Sequence, residues 1–153
     1  MRISFDLDET LTTSRLAEAE PGQAWWGWFF FQEPLRRGTR NLLKNLRSQG
    51  HEVWIYTSSV RSVTTISWWF ASYGITLDGI VNERLSRPAL KAAAQEGILA
   101  SKYPPYFDID IHIDDDPNLV RDLQGTSCIP ILVDRNDLQW IAALMGKLKP
   151  ILR

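Results

Sequence analysis

Short β-rich runs alternate with helical patterns along this chain, and that order constrains it to a parallel sheet whose strands are joined by helical crossovers. Strands are expected over residues 2–7, 52–57, 79–82, 109–114 and 129–133. The first crossover helix is expected over residues 38–49, where Leu42, Leu43 and Leu46 recur at helical spacing behind Thr39 as N-cap. A second spans 59–73 and is closed by Gly74, and a third spans 88–97 with Pro88 in its first turn. Residues 117–123 and 136–148 complete the set, the last turning Leu138, Ile141, Leu144 and Leu148 toward the core. The fold class expected is therefore α/β, a five-stranded parallel sheet with helices on both faces. A length of 153 residues suits one domain spanning 1–153.

Composition narrows the setting. The net charge of −1, from 17 basic and 18 acidic residues, leaves no electrostatic footprint for nucleic acid or an anionic membrane. No run approaches the ~18 apolar residues of a membrane span, and Arg2 followed at once by an acidic motif does not read as a signal peptide. Cys128, the only cysteine, sits in an apolar run and is read as core. With no disulfide available, a soluble cytoplasmic protein is expected.

In doubly wound sheets, ligands bind beyond the carboxyl ends of the strands, and four such places here carry polar chemistry. The first strand runs into Asp6-Leu7-Asp8-Glu9-Thr10. Residues i and i+2 of an extended segment share a side, so Asp6 and Asp8 can face one pocket and divide nucleophile and acid/base roles. An Asp-rich turn that caps a helix is the plainer alternative. The second strand ends in Thr57-Ser58-Ser59, hydroxyls suited to a phosphate oxygen at a helix N-terminus, or to capping alone. The fourth ends in Asp114-Asp115-Asp116-Pro117, like charges that a hard divalent cation would hold together. A solvated acidic helix cap explains one of those aspartates better than three. Lys102, shortly before that strand, can bind a carboxylate and a phosphate oxygen by point charge, although most single lysines are merely solvated.

Taken in order, Asp6 to Thr10, Thr57, Lys102 and Asp114-Asp115 resemble the four signature motifs of the haloacid dehalogenase (HAD) superfamily of phosphatases. The resemblance covers residues 1 to about 123, and the Asp-Asp-Asp-Pro run looks most like its branch of magnesium-dependent and carboxy-terminal-domain phosphatases. It implies a Rossmann-like HAD fold and a phosphomonoester hydrolase that works through an aspartyl-phosphate, with Asp6 as nucleophile and Asp8 as acid and then base. It also implies Mg²⁺ held by the Asp6 carboxylate, the Asp8 backbone carbonyl and Asp115 with Asp114 in support, and a phosphoryl group bound by Thr57, Ser58 and Lys102. Glu9 departs from the family pattern, where glycine is frequent. No large cap domain is present, so the substrate, small molecule or macromolecule, is expected to meet an open site.

Residues 12–32 interrupt the alternation with Trp25, Trp26, Trp28, Phe29, Phe30 and Phe31. The stretch is expected as a flap hairpin with its rings on the sheet edge; a lid or a surface for a second copy or a protein partner is the functional alternative. A catalytically weak scaffold docking through this flap is the rival to the enzyme, and a polynucleotide or protein phosphatase is a third reading. Arg61 and Arg87 can reach an anionic substrate but are read as solvated or paired helix residues. His51 and His112 are read as structural.

Overall fold

The computed structural model describes residues 1–152. Strands β1 (Arg2–Phe5), β2 (Glu52–Tyr56), β3 (Gly79–Val81), β4 (Ile111–Asp114) and β5 (Ile129–Leu132) form one parallel sheet in the order β3-β2-β1-β4-β5. The chain builds outward from β1 on one side and then returns to add β4 and β5 on the other, which makes the β1/β4 junction the switch point of the sheet.

Period-2 alternation decides which side chains meet which layer. Ile3, Phe5, Val53, Ile55, Ile111, Ile113 and Ile131 lie in one core with residues of helices α2 (Thr39–Ser48), α3 (Val63–Ser72) and α6 (Trp140–Leu148). The intervening residues, among them Ser4, Trp54, Tyr56 and His112, turn to the opposite face, toward α4 (Glu83–Gln95) and α5 (Pro117–Asp122). The expected α/β architecture is thus present, with helices on both faces and no helix among the described residues long and apolar enough to cross a membrane.

Several boundaries differ from expectation, each for a local reason. The helix expected from 59 begins at Val63, because Ser62 caps it by accepting the Thr65 N–H at 3.0 Å. The helix expected from Pro88 begins at Glu83 behind Asn82, whose side chain accepts the Leu85 N–H, and Pro88 lies in its interior. Arg84, whose carbonyl loses its helical donor there, and Pro88 are both exposed. Thr39 is not an N-cap: Gly38, with φ of 92°, takes that position and the Thr39 hydroxyl is buried without a partner. Helix α6 starts at Trp140 rather than 136, leaving Leu138 74% exposed instead of in the core.

The aromatic stretch forms a helix, α1 (Trp25–Phe30), and not a hairpin. Only its base is strand-like, with isolated antiparallel bridges pairing Thr12 with Leu35 and Ala19 with Arg36. Gly27 seats α1 against α3: a Cβ there would stand 2.3 Å from that of Ser72, so no other residue fits without displacing one helix. Trp26 meets Trp68 edge-on at 5.9 Å and Phe31 stacks on Trp69 at 6.3 Å. The remaining rings do not pack on the sheet edge as expected; Trp25, Trp28, Phe29 and Phe30 are 70–79% exposed.

Asp78 ties α2 to the sheet. Its carboxylate accepts Nε and Nη2 of Arg47 at 2.9 and 2.8 Å and the Val53 N–H at 2.8 Å. Burial alone would raise the Asp78 carboxyl, but these donors outweigh it and hold it below the ordinary 3.8. A carboxyl depressed in the folded state stabilises above its unfolded value, and that contribution is lost as the pH falls through the folded value. Asp78→Asn is expected to cost about 1 kcal/mol at neutral pH. In urea unfolding curves the difference from the parent should shrink once the pH drops below 3.8.

Candidate active site

The carboxyl ends of β1, β2 and β4 lie side by side, and each delivers residues expected to carry chemistry. Beyond Phe5 the chain stays attached to the sheet for one more bond, from the Asp6 N–H to the Ile113 carbonyl at 2.8 Å. Asp6 therefore continues the alternation of Ser4, and Asp114 continues that of His112, which places both carboxylates on the α4/α5 side.

Lys102 arrives there from the connection between α4 and β4. Its ammonium is 2.5 Å from Asp6 Oδ1 and 2.6 Å from Asp114 Oδ2, and all three side chains are buried. Tyr103, the next residue, anchors the approach by donating its N–H to Tyr56 Oη at 3.0 Å. Carboxylate oxygens of Asp6, Asp114 and Asp115 lie within 4.8 Å of one another. Thr10 Oγ1 donates to Asp115 Oδ1 at 3.1 Å, so the first and last motifs are joined directly.

Burial and charge treat these acids differently. Burial pushes the Asp6 carboxyl up to about 7 against the opposing pull of Lys102. Burial would raise Asp114 too, but the His112 N–H and the Lys102 ammonium hold it far below the ordinary range. Asp115 is raised, chiefly by burial. Lys102 would be lowered by its own burial, yet Asp6 and Asp114 together raise it, so it stays charged. The three carboxyl groups of Asp6, Asp114 and Asp115 outnumber the one ammonium and offer an all-oxygen donor set, which suits a hard divalent cation.

Asp8 takes a more open place at the mouth. Its Oδ1 accepts Arg61 Nη1 at 2.8 Å and its Oδ2 accepts Thr57 Oγ1 at 3.4 Å. The Thr57 hydroxyl also receives the Ser59 N–H at 3.0 Å. Since α3 starts only at Val63, the Thr57-Ser58-Ser59 hydroxyls do not stand at a helix N-terminus as expected, but in the extended loop ahead of it. Ser58 is exposed there.

Two participants, His112 and Arg61, are read from the sequence as a structural residue and a solvated or paired helix residue rather than as part of the site. His112 shares the face of Asp114 two residues away, with Nε2 3.0 Å from Asp114 Oδ2 and Nδ1 2.7 Å from Ser4 Oγ. Burial lowers its pKa and keeps the ring neutral, so Nε2–H donates to Asp114 while Nδ1 accepts from Ser4. The i, i+2 spacing on a strand was the available signal. Arg61 is a loop residue rather than a helix residue, and besides Asp8 it pairs with Glu33 at 2.8 Å and lies 5.6 Å over Trp69. The Ser62–Thr65 capping pair, which stops the helix short of Arg61, was the signal for that. Arg87 turns away from the site to pair with Glu83 on α4, and His51 lies in the turn before β2.

Glu9 adopts φ of 63°, in the left-handed region that glycine enters freely and a residue with a side chain enters only at a cost. Its carboxylate pairs with Arg135 in the loop after β5.

Comparison with known proteins yields no matching family model and no matching curated protein. Solved structures do match. A predicted HAD-like family hydrolase from Porphyromonas gingivalis is similar at TM-score 0.54 and 13% identity, over 97% of this chain and 97% of that one. An uncharacterized protein from Corynebacterium glutamicum gives TM-score 0.51 and 16% identity, over 95% and 92%. A chain of the Pnkp1/Rnl/Hen1 RNA repair complex gives TM-score 0.52 and 18% identity, over 87% of this chain but only 42% of that one. This chain thus spans less than half the length of the RNA-repair chain. At these identities the likeness concerns the fold, and the fold is HAD-like.

Proposed function

We propose that this chain is a Mg²⁺-dependent phosphomonoesterase that uses Asp6 as nucleophile and Asp8 as general acid and then base. The observation that carries the reading is the buried Lys102 ammonium held between Asp6 and Asp114, next to Asp115, at the switch point of the sheet. The HAD-like hydrolase among the structural neighbours agrees with it, and the Asp-Asp-Asp-Pro run favours the magnesium-dependent and carboxy-terminal-domain phosphatase branch. We read residues 1–153 as a single domain with the flap as its one insert.

In this reading an Asp6 oxygen attacks phosphorus while the bond from phosphorus to the leaving oxygen breaks, and Asp8 supplies that oxygen with a proton. Water then attacks the phosphorus of the aspartyl-phosphate and gives a proton to Asp8, releasing inorganic phosphate and restoring Asp6. Lys102 offsets negative charge at Asp6 and at the phosphoryl oxygens, and Thr57 and Ser58 donate to those oxygens. The Arg61 guanidinium must leave Asp8 as the leaving group arrives, because Oδ1 is engaged by Arg61 and Oδ2 by Thr57. Asp6, Asp114, Asp115 and the Asp8 backbone carbonyl would hold Mg²⁺, which when bound neutralises phosphoryl charge. The position of His112 behind Asp114 gives it the task of aiming that carboxylate.

A second reading concerns the flap. Its four exposed rings offer roughly 600 Å² of aromatic surface, at about 200 Å² per ring and three-quarters exposure. A standard interface takes about 800 Å² from each partner, and Trp68 beside α1, 59% exposed, extends the patch toward that size. We infer that a second copy of the chain covers it, as aromatic-rich homodimer interfaces do.

The first test is hydrolysis of p-nitrophenyl phosphate with added Mg²⁺. Asp6→Asn should lower kcat by roughly a thousandfold or more and should also abolish an acid-stable, alkali-labile phosphoryl label on the chain. Retention of activity in that variant sinks the nucleophile assignment. Chelation should remove turnover and Mg²⁺ restore it. Because the Asp6 proton is held up to about 7, the cation has to displace it at lower pH. The half-saturating Mg²⁺ concentration should therefore rise as the pH falls below 7, approaching about tenfold per unit. For the flap, sedimentation should find a dimer that Trp28→Glu with Phe29→Glu converts to monomer, with hydrolysis of the small ester retained.

A further inference from the structure

At the base of the flap, where it bridges to Ala19, Arg36 is a buried cation without an anionic partner among the described residues. It is 2% exposed, and its Nη2 donates to the backbone carbonyls of Asp134 at 3.1 Å and Asp137 at 2.5 Å. Its guanidinium carbon lies 4.7 Å from the centroid of the Trp140 ring. Nη1 has no hydrogen-bond partner at all, which is costly for a charged group shielded from water. The neighbouring acids are engaged elsewhere: Glu18 with Arg15 at 3.0 Å, Asp134 with the Asn136 N–H at 2.8 Å and Asp137 with the Gln139 N–H at 2.8 Å.

Arg36 lines an open-sided cavity of about 610 Å³, together with the apolar Ala17, Trp140 and Ile141 and the charged Glu18, Arg37 and Asp137. That volume lies within the roughly 300–1,000 Å³ of small-molecule sites, which combine apolar walls with a few polar anchors. A buried guanidinium with an unpartnered nitrogen, beside the apolar faces of Trp140 and Ile141, selects a ligand with one anionic head and an apolar body, and the exposed Arg37 offsets one of the two cavity acids. A planar carboxylate matches the fork of two guanidinium nitrogens. A phosphate dianion fits less well, because Glu18 and Asp137 also line the cavity and repel two charges more strongly than one.

We propose that this cavity binds a small monocarboxylate, its head on Arg36 Nη1 and its apolar body against Trp140 and Ile141. Nη1 has no exposed surface, so the ligand reaches it as the Arg36 fork swings away from the Asp137 carbonyl and the carboxylate replaces that bond. The site is separate from the carboxylate cluster of Asp6, Asp114 and Asp115 and does not depend on the phosphatase reading.

The test titrates benzoate and hexanoate into the ¹⁵N-labelled full chain and follows the Trp140 indole N–H, which donates to the Arg37 carbonyl at 3.0 Å. Benzyl alcohol and inorganic phosphate are the matched controls. At least one carboxylate should shift that signal saturably, with both controls at least about tenfold weaker. Arg36→Met should abolish the response. Because that change also removes two loop tethers, Ala17→Trp serves as a second variant that narrows the cavity and leaves the Arg36 bonds in place; it should weaken binding about tenfold or more. The proposal is overturned if neither carboxylate saturates by about 20 mM, if benzyl alcohol or phosphate binds equally well, or if Ala17→Trp binds as the parent does.

Discussion

The Lys102 ammonium between Asp6 and Asp114 is the interaction on which the working end of this molecule depends. Strands β1 and β4 each end in a carboxylate on the same side of the sheet, and without a cation those ends would repel at close range inside a poorly solvated pocket. Removing one partner of such a buried set leaves uncompensated charge, which typically costs several kcal/mol. The ion set therefore specifies how the β1 and β4 ends are placed as much as it stabilises them. Its three members come from residues 6, 102 and 114, so the fold must be nearly complete before any two of them meet.

Around this centre the supports are graded by solvent access. His112 and Ser4 are fully buried and fix Asp114 from beneath, through a chain of two hydrogen bonds across adjacent strands. Thr10 reaches across to Asp115. Asp8 and Arg61, nearer the mouth, make an ion pair that water can enter, and Arg61 passes the connection on to Glu33 in the segment leaving the flap. The inner groups are sealed from solvent, and the outer ion pair is wet. The aromatic helix is mounted on the same frame, since Phe31 and Arg61 both lie against Trp69.

How much of this the chain announces in advance depends on the range of the forces involved. The five strands and the residues at their ends were legible because alternation and strand-end acids are local patterns with a single structural solution. Lys102 was legible only in the company of the other motifs. The helix starts were less so: Pro88 suits a first turn, yet Asn82 caps earlier and the residues between are good helix formers, so the nearer cap won. The aromatic stretch was misread as a hairpin because its rings are equally at home in strands, whereas the deciding contact, Gly27 against Ser72, joins residues 45 positions apart by their numbers in the sequence. Arg36 gave no signal at all, since an arginine among polar neighbours looks solvated until the surrounding loops close over it.

The turn at Glu9 carries a cost that a glycine would avoid, about 1–2 kcal/mol for a side chain in the left-handed region. Its carboxylate recovers part of that through Arg135, an exposed pair weakened by dissolved ions. The peptide next to Asp8 is thus braced from outside by the loop after β5. Ionic strength, acting on a contact that never touches a reacting atom, has a mechanical route to the mouth of the pocket.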